Sequence, residues 1–193
     1  MMAHIPEGSI LESSIIPSRR TVLLVIAGAA VMTLAAKTQI PFWPVPMTLH
    51  TLAVMAFAIA FGPRIAVSIF AAYLAAGATG LPVFSGSPER GVGLAYMVGP
   101  TGGYLLGYLI ASWLVGVMAY GKGAPGRIGA MLTGLTLIYA LGIAWLAVYV
   151  PAGKLLAMGV LPFVPGDLAK IGIVAVGSSL AGASLKRFRD KRQ

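Results

Sequence analysis

The sequence runs to 193 residues, room for about one domain. Hydrophobic residues make up 58% of it before its 25 Gly are counted, and charged residues only 10%; soluble domains hold ~45–50% apolar residues with Gly included and ~25% charged. A surface of this size cannot be covered so sparsely, which excludes a soluble enzyme, a disordered chain and a conventional nucleic-acid-binding domain, and leaves an integral membrane protein.

The formal net charge of +9 comes from 14 Lys and Arg against 5 Asp and Glu. These charges lie between apolar segments, with a cluster at the C-terminal end, so they read as a topology signal rather than as a nucleic-acid footprint. Cys is absent and His occurs twice, too few for thiol chemistry or a clustered metal site.

A polar stretch, 1–20, comes first and is expected as a cytoplasmic tail. Six apolar segments follow at about 21–36, 47–61, 65–80, 101–120, 128–150 and 167–185. Ala, Leu, Val, Ile and Met dominate them, which favours helices over barrel strands. About 20 residues cross a ~30 Å hydrocarbon core, so the fourth and fifth span outright and the first three need flanking turns. The sequence predicts an all-α membrane domain over 21–185 with six transmembrane helices, then a basic cytoplasmic tail at 186–193.

With the N-terminus inside, ten basic residues face the cytoplasm: Arg19, Arg20, Arg64, Lys122, Arg127, Lys186, Arg187, Arg189, Lys191 and Arg192. Three face outward, Lys37, Arg90 and Lys154, and Lys170 lies in the last helix. The bias places both termini in the cytoplasm of a multi-pass protein. The outside connections at about 37–46, 81–100 and 151–166 are longer and rich in Pro and Gly. Long loops on one face commonly carry function, here capture of something from outside. Ala71/Ala75, Ala72/Ala76 and Gly103/Gly107 have the small-residue spacing that lets helices pack closely in lipid.

Two motifs are decoys. Ser18-Arg19-Arg20 resembles an export signal, but no polar domain follows it. Gly116 to Lys122 nearly matches a phosphate-binding loop, yet lacks the final Ser or Thr and a preceding strand. The chain therefore carries no ATPase of its own.

Three stretches carry chemistry. In 161–170, Asp167 and Lys170 are three residues apart and share a helix face. Ionised groups at membrane depth are costly and mark a ligand site or pathway. An N-cap role for Asp167 and snorkelling of Lys170 are the plain alternatives. In 37–48, Pro41, Pro44 and Pro46 stop a helix and make a stiff connection bearing Phe42, Trp43 and Met47. These aromatics serve either as membrane-edge anchors or as a lid. In 80–104, Gly and Pro allow a folded loop; Arg90 either binds a carboxylate or pairs with Glu89, and Tyr96 and Tyr104 offer hydroxyls and ring faces or simply pack. His50, alone in the second segment, reads first as a packed or hydrogen-bonded residue.

Pro44-Val45-Pro46-Met47-Thr48-Leu49, Gly80-Leu81-Pro82-Val83-Phe84 with Gly86, Gly99-Pro100-Thr101-Gly102-Gly103-Tyr104-Leu105, and Leu161-Pro162-Phe163 with Pro165-Gly166-Asp167 and Lys170 occur in this order over about 45–185. Together they resemble the BioY family, the biotin-specific S components of energy-coupling-factor (ECF) transporters. The resemblance implies a six-helix S-component fold and a biotin pocket near the outer face, in the bacterial cytoplasmic membrane. It also implies a transmembrane T component and ATP-binding-cassette ATPases as partners, with no cofactor. The expected substrate-binding residues are Asp167, Lys170, Arg90, Tyr96, Phe84, Thr48 and Trp43. Asp167 would accept from ureido N–H groups, and Lys170 would donate to a ligand oxygen. Two departures stand out. Ser87-Pro88-Glu89-Arg90 replaces a Gly-rich run, and Ala29-x-x-x-Thr33 stands where relatives dock through Ala-x-x-x-Ala, making Ala29 and Thr33 the expected docking pair. A homo-oligomer is left open. The competing readings are a self-sufficient channel or secondary transporter, opposed by the lack of a chain of intramembrane carboxylates, and an intramembrane enzyme, opposed by the scarcity of acid–base pairs.

Overall fold

The computed structural model describes residues 18–40 and 43–190, with the helix alone over 182–190. The tail at 1–17, Pro41, Phe42, Lys191 and Arg192 lie outside the described residues, as do the side chains of Lys186, Arg187 and Arg189.

Helix α1 spans Arg19–Lys37. Ser18 caps it, accepting the Thr21 backbone N–H at 3.2 Å, so Ser-Arg-Arg is a helix start. Two-residue strands follow, β1 at Gln39–Ile40 and β2 at Met47–Thr48, paired antiparallel with Gln39 opposite Thr48. The sequence placed 47–48 in the second helix; instead Pro44 and Pro46 hold the chain extended, and α2 begins at His50.

Helix α2 covers His50–Ala78 but breaks at Gly62, whose φ of 76° and ψ of 178° only Gly adopts readily. Pro63 follows and can donate no helical hydrogen bond. The arms, 50–61 and 63–78, fold back on each other. The proof is a 2.9 Å hydrogen bond between His50 and Tyr73, groups that an unbroken helix would hold about 35 Å apart. Gly62-Pro63-Arg64 is thus the tight turn that the sequence predicts. A Cβ on Gly116 would sit 2.6 Å from Pro63 N, so the α4 backbone lies directly against this turn.

The next connection contains a short helix, α3 (Gly93–Met97). Helices α4 (Gly102–Ala119) and α5 (Ala124–Leu146) form the most extensive helix pair, with Gly103 and Gly107 against Trp145, Leu141 and Ile138. Helix α5 starts four residues before its expected boundary because Pro125 stands in its first turn, where proline's missing N–H costs nothing. A 3-10 turn (Ala152–Lys154) and the short α6 (Leu155–Gly159) lead to α7 (Val164–Asp190), which runs into the stretch expected as a C-terminal tail.

Five of these helices are long and apolar enough to cross a membrane, one of them being the broken α2. Leu23, Ile26, Leu34, Trp113, Ile173, Val176 and Leu180 are exposed along their outer faces, as lipid-facing residues should be. The chain is a multi-pass membrane protein. Met55, Ala111, Val115, Met131 and Ile138 fill one core between α2, α4 and α5; Met32, Val54, Ile69, Phe70, Tyr73 and Phe84 fill a second beneath α1. The long connections gather at one end. The Gly62 turn and the α4–α5 turn share the other, where Arg127 donates to Ser178 O at 3.4 Å.

Candidate binding site

At the end with the long connections, a cavity lies between β2, α3, α4, α5 and α7. The centre of a water molecule can move over about 40 Å³ of it. Asp167 and Lys170 stand in its wall. Val164 opens α7 and Asp167 falls in the first turn, with its backbone N–H donating to Phe163 O at 2.8 Å. Asp167 is therefore within the helix and is not its N-cap. Lys170, one turn later, points the same way.

Both groups are buried, Asp167 at 4% exposure and Lys170 at 8%. Lys170 Nζ donates to Asp167 Oδ1 at 2.8 Å and to Thr48 O at 2.6 Å. Tyr139 OH donates to Asp167 Oδ2 at 2.7 Å. Lys170 thus bridges α7 to strand β2 and does not snorkel. An ammonium has three donors and an ionised carboxylate about four acceptor sites, so one Lys170 N–H and about two carboxylate lone pairs remain for a guest. The pair can present a donor beside acceptors to a small polar group.

Much of the remaining wall is aromatic or apolar, with Tyr96, Tyr104, Tyr108, Phe163, Val45 and Met47, and His50, Ser85 and Thr101 add polar groups. Tyr104 OH donates to Gly159 O at 2.7 Å, which ties α4 to α6. Burial raises the Tyr96 phenol above its ordinary range, with hydrogen bonding to Thr101 and the charge of Arg90 opposing the shift. Tyr96 therefore stays a neutral hydroxyl at physiological pH.

Of the sequence-predicted residues, the structure brings Asp167, Lys170, Tyr96 and Thr48 into the cavity wall. Phe84 is fully buried behind it, stacked on Tyr96 at 4.7 Å and edge-on to Tyr73 at 5.5 Å. Arg90 and Trp43 lie outside the wall. The Arg90 guanidinium sits 5.6 Å from the Trp43 ring centre, and Trp43 is 73% exposed. Ala29 and Thr33 are half-buried on α1, where the Thr33 hydroxyl donates to Ala29 O at 3.0 Å.

Tyr108, Tyr139, Phe163 and Ser85 also belong to the wall and escape a linear reading. Tyr104 and Tyr108 are one turn apart, and Tyr139 is a hydroxyl deep in an apolar run, which is the available signal. The loop over 79–92 is tied down by Lys37 Nζ to Ser87 O at 2.6 Å, and by Ser85 to the side chain of Gln39. No cluster of three metal-ligating side chains occurs among the described residues.

Residues 10–187 match the model of the BioY family. The chain is 34% identical over 157 residues to a probable biotin transporter BioY of Pyrococcus horikoshii, covering 81% of this chain and 93% of that one. It is 36% identical over 149 residues to the biotin transporter BioY of Thermotoga maritima, covering 76% and 86%. Its fold matches the crystal structure of the S-component for biotin from an ECF-type ABC transporter, with a TM-score of 0.73 and 25% identity over 85% of this chain and 91% of that one. A family match across most of the sequence, joined by relatives this similar, means that the chain belongs to the BioY family.

Proposed function

We propose that this chain captures biotin at the outer face of a bacterial cytoplasmic membrane and serves as the substrate-binding subunit of an ECF-type importer. The buried Asp167–Lys170 pair in an aromatic cavity carries this reading. Biotin's ureido ring offers two N–H donors beside one carbonyl acceptor. Asp167 supplies acceptors and Lys170 a donor, 2.8 Å apart. The Tyr and Phe faces suit the apolar bicycle. Arg90, near Tyr96 and over Trp43, takes the valerate carboxylate at the mouth.

The basic residues Arg19, Arg20, Arg64, Lys122 and Arg127 gather toward the end opposite the cavity, which supports cytoplasmic termini and an outward site. Among the described residues, Asp167 is the one carboxylate within the stretches long and apolar enough to cross a membrane, which disfavours coupling to protons or Na⁺. Energy then comes from partners: a T component docking on the α1 face that carries Ala29 and Thr33, and cytoplasmic ATPases.

The test is equilibrium binding of labelled biotin to the purified chain in detergent, with thiamine and riboflavin as competitors. Tight binding that only biotin displaces is the expected result. A folded chain that binds none refutes the assignment.

A further inference from the structure

We infer that His50 is a positioning residue for Lys170: a neutral imidazole protonated on Nε2, which links Thr48 to Tyr73 and so fixes the carbonyl that anchors the Lys170 ammonium. The inference deepens the proposed function and rests on Lys170 being a ligand-binding group.

Thr48 is used twice. Its carbonyl accepts from Lys170 Nζ at 2.6 Å, and its hydroxyl lies 2.8 Å from His50 Nδ1. His50 Nε2 lies 2.9 Å from Tyr73 OH, and Tyr73 OH reaches Val83 O at 3.5 Å. One continuous chain of contacts therefore runs from α7 through β2 and both arms of α2 to the 79–92 loop. Both side chains are buried, Tyr73 completely, so water does not substitute for these partners.

The ends of the chain set its direction. Val83 O can only accept, so the Tyr73 hydroxyl donates there and its oxygen receives a proton from His50 Nε2. At the other end, the Thr48 oxygen already accepts the His50 backbone N–H at 3.3 Å. Its own proton is then free for Nδ1. The Tyr73 end thus selects the Nε2–H tautomer, and the Thr48 end accommodates it. His50 is also held by its ring, stacked on Tyr108 at 5.3 Å with an interplanar angle of 23°. Tyr108 and His50 both line the cavity, so the imidazole is part of the wall and holds the anchor as well. In this arrangement the seating of the 79–92 loop and the aim of Lys170 are linked through one ring.

Two measurements test this on the full chain in detergent. The sequence has two His residues, His4 and His50, so histidine-selective ¹⁵N labelling with His4→Gln leaves one imidazole signal. The expected spectrum has an unprotonated Nδ1 and a protonated Nε2. The opposite tautomer, or an averaged signal, overturns the inference.

The second is biotin calorimetry on wild type, Tyr73→Phe, Lys170→Ala and the double variant, with thermal melts confirming folding. Tyr73 lies outside the cavity wall. Tyr73→Phe should weaken binding roughly three- to tenfold in the wild-type background, the scale of one hydrogen bond, and cause no further loss in the Lys170→Ala background. Equal losses in both backgrounds would show simple structural damage and overturn the coupling. His50→Gln, which retains a donor and an acceptor, should bind better than His50→Phe; equal affinities count against the relay. If wild type itself fails to bind biotin, the functional reading falls, and the tautomer alone judges the relay.

Discussion

Removing one half of the Asp167–Lys170 pair should damage the protein in two separable ways. Asp167→Asn keeps the shape but removes the charge that faces Lys170 Nζ at 2.8 Å. At an effective dielectric constant of about 20, opposite unit charges at that distance attract by about 6 kcal/mol. Desolvating each ion costs several kcal/mol, so the intact pair is close to balanced. Lys170 would be left in a buried site facing only neutral acceptors, Thr48 O and the new amide oxygen, at a cost of about 3–5 kcal/mol in stability. Biotin binding should also fall by about 1.5–3 kcal/mol, the value of a hydrogen bond to a charged group. The decisive variant is Asp167→Asn combined with Lys170→Met. Without the stranded cation, stability should return to within about 1 kcal/mol of wild type, while binding stays lost. Thermal melts in detergent and biotin calorimetry, run on the same samples, read the two quantities. If the double variant binds like wild type, the pair is not the ligand site. If Asp167→Asn alone melts and binds like wild type, the electrostatic reasoning is wrong.

Tyr139→Phe removes the 2.7 Å hydrogen bond to Asp167 Oδ2 and should weaken biotin binding about threefold or more, read by calorimetry, because the carboxylate loses one of its two protein donors. Gly77→Ala places a Cβ 2.0 Å from Phe84 Cζ; it should lower the melting temperature by an amount equivalent to about 1–3 kcal/mol and weaken binding through the displaced Tyr96 stack, with Phe84→Leu recovering much of the stability. Arg90→Gln should weaken biotin about tenfold, the scale of a lost charge-assisted contact, yet leave biotin amide unaffected in a competition assay; equal losses for both ligands would remove Arg90 from the carboxylate role.

Much of the frame is legible in the sequence because hydropathy and backbone punctuation are local. Gly62-Pro63 announces its turn within two residues, and the limits of α4 are read to within one. Asp167 and Lys170 announce themselves by cost, since charges in an apolar run demand a reason. The polar partners do not. Tyr139 reaches Asp167 across 28 residues and Lys170 reaches Thr48 O across 122, and a backbone carbonyl carries no side-chain signal at all. His50 reads as a packed residue; Thr48 is its neighbour in sequence, but Tyr73 reaches it only once α2 folds back at Gly62. Short elements such as β1, β2, α3 and α6 are too brief for any periodicity to register. Phe84, Arg90 and Trp43 come from the connections beside the cavity, but which side chains enter its wall is decided by tertiary packing.

The fold-back at Gly62 also bears on the surrounding lipid. Its arms, 50–61 and 63–78, are about 18 and 24 Å long, whereas the 23 residues of α5 run to about 35 Å. The hydrocarbon core of a bilayer is about 30 Å thick. The apolar belt is therefore lopsided, narrow along one flank and tall along the other. Lipid beside the hairpin must compress, or the whole molecule must lean until the two flanks share the mismatch. Acyl-chain length thereby becomes a mechanical variable for this protein: thin bilayers relieve mismatch on the α2 flank but tilt the longer α5, whereas thick ones match α5 and deepen the mismatch beside α2.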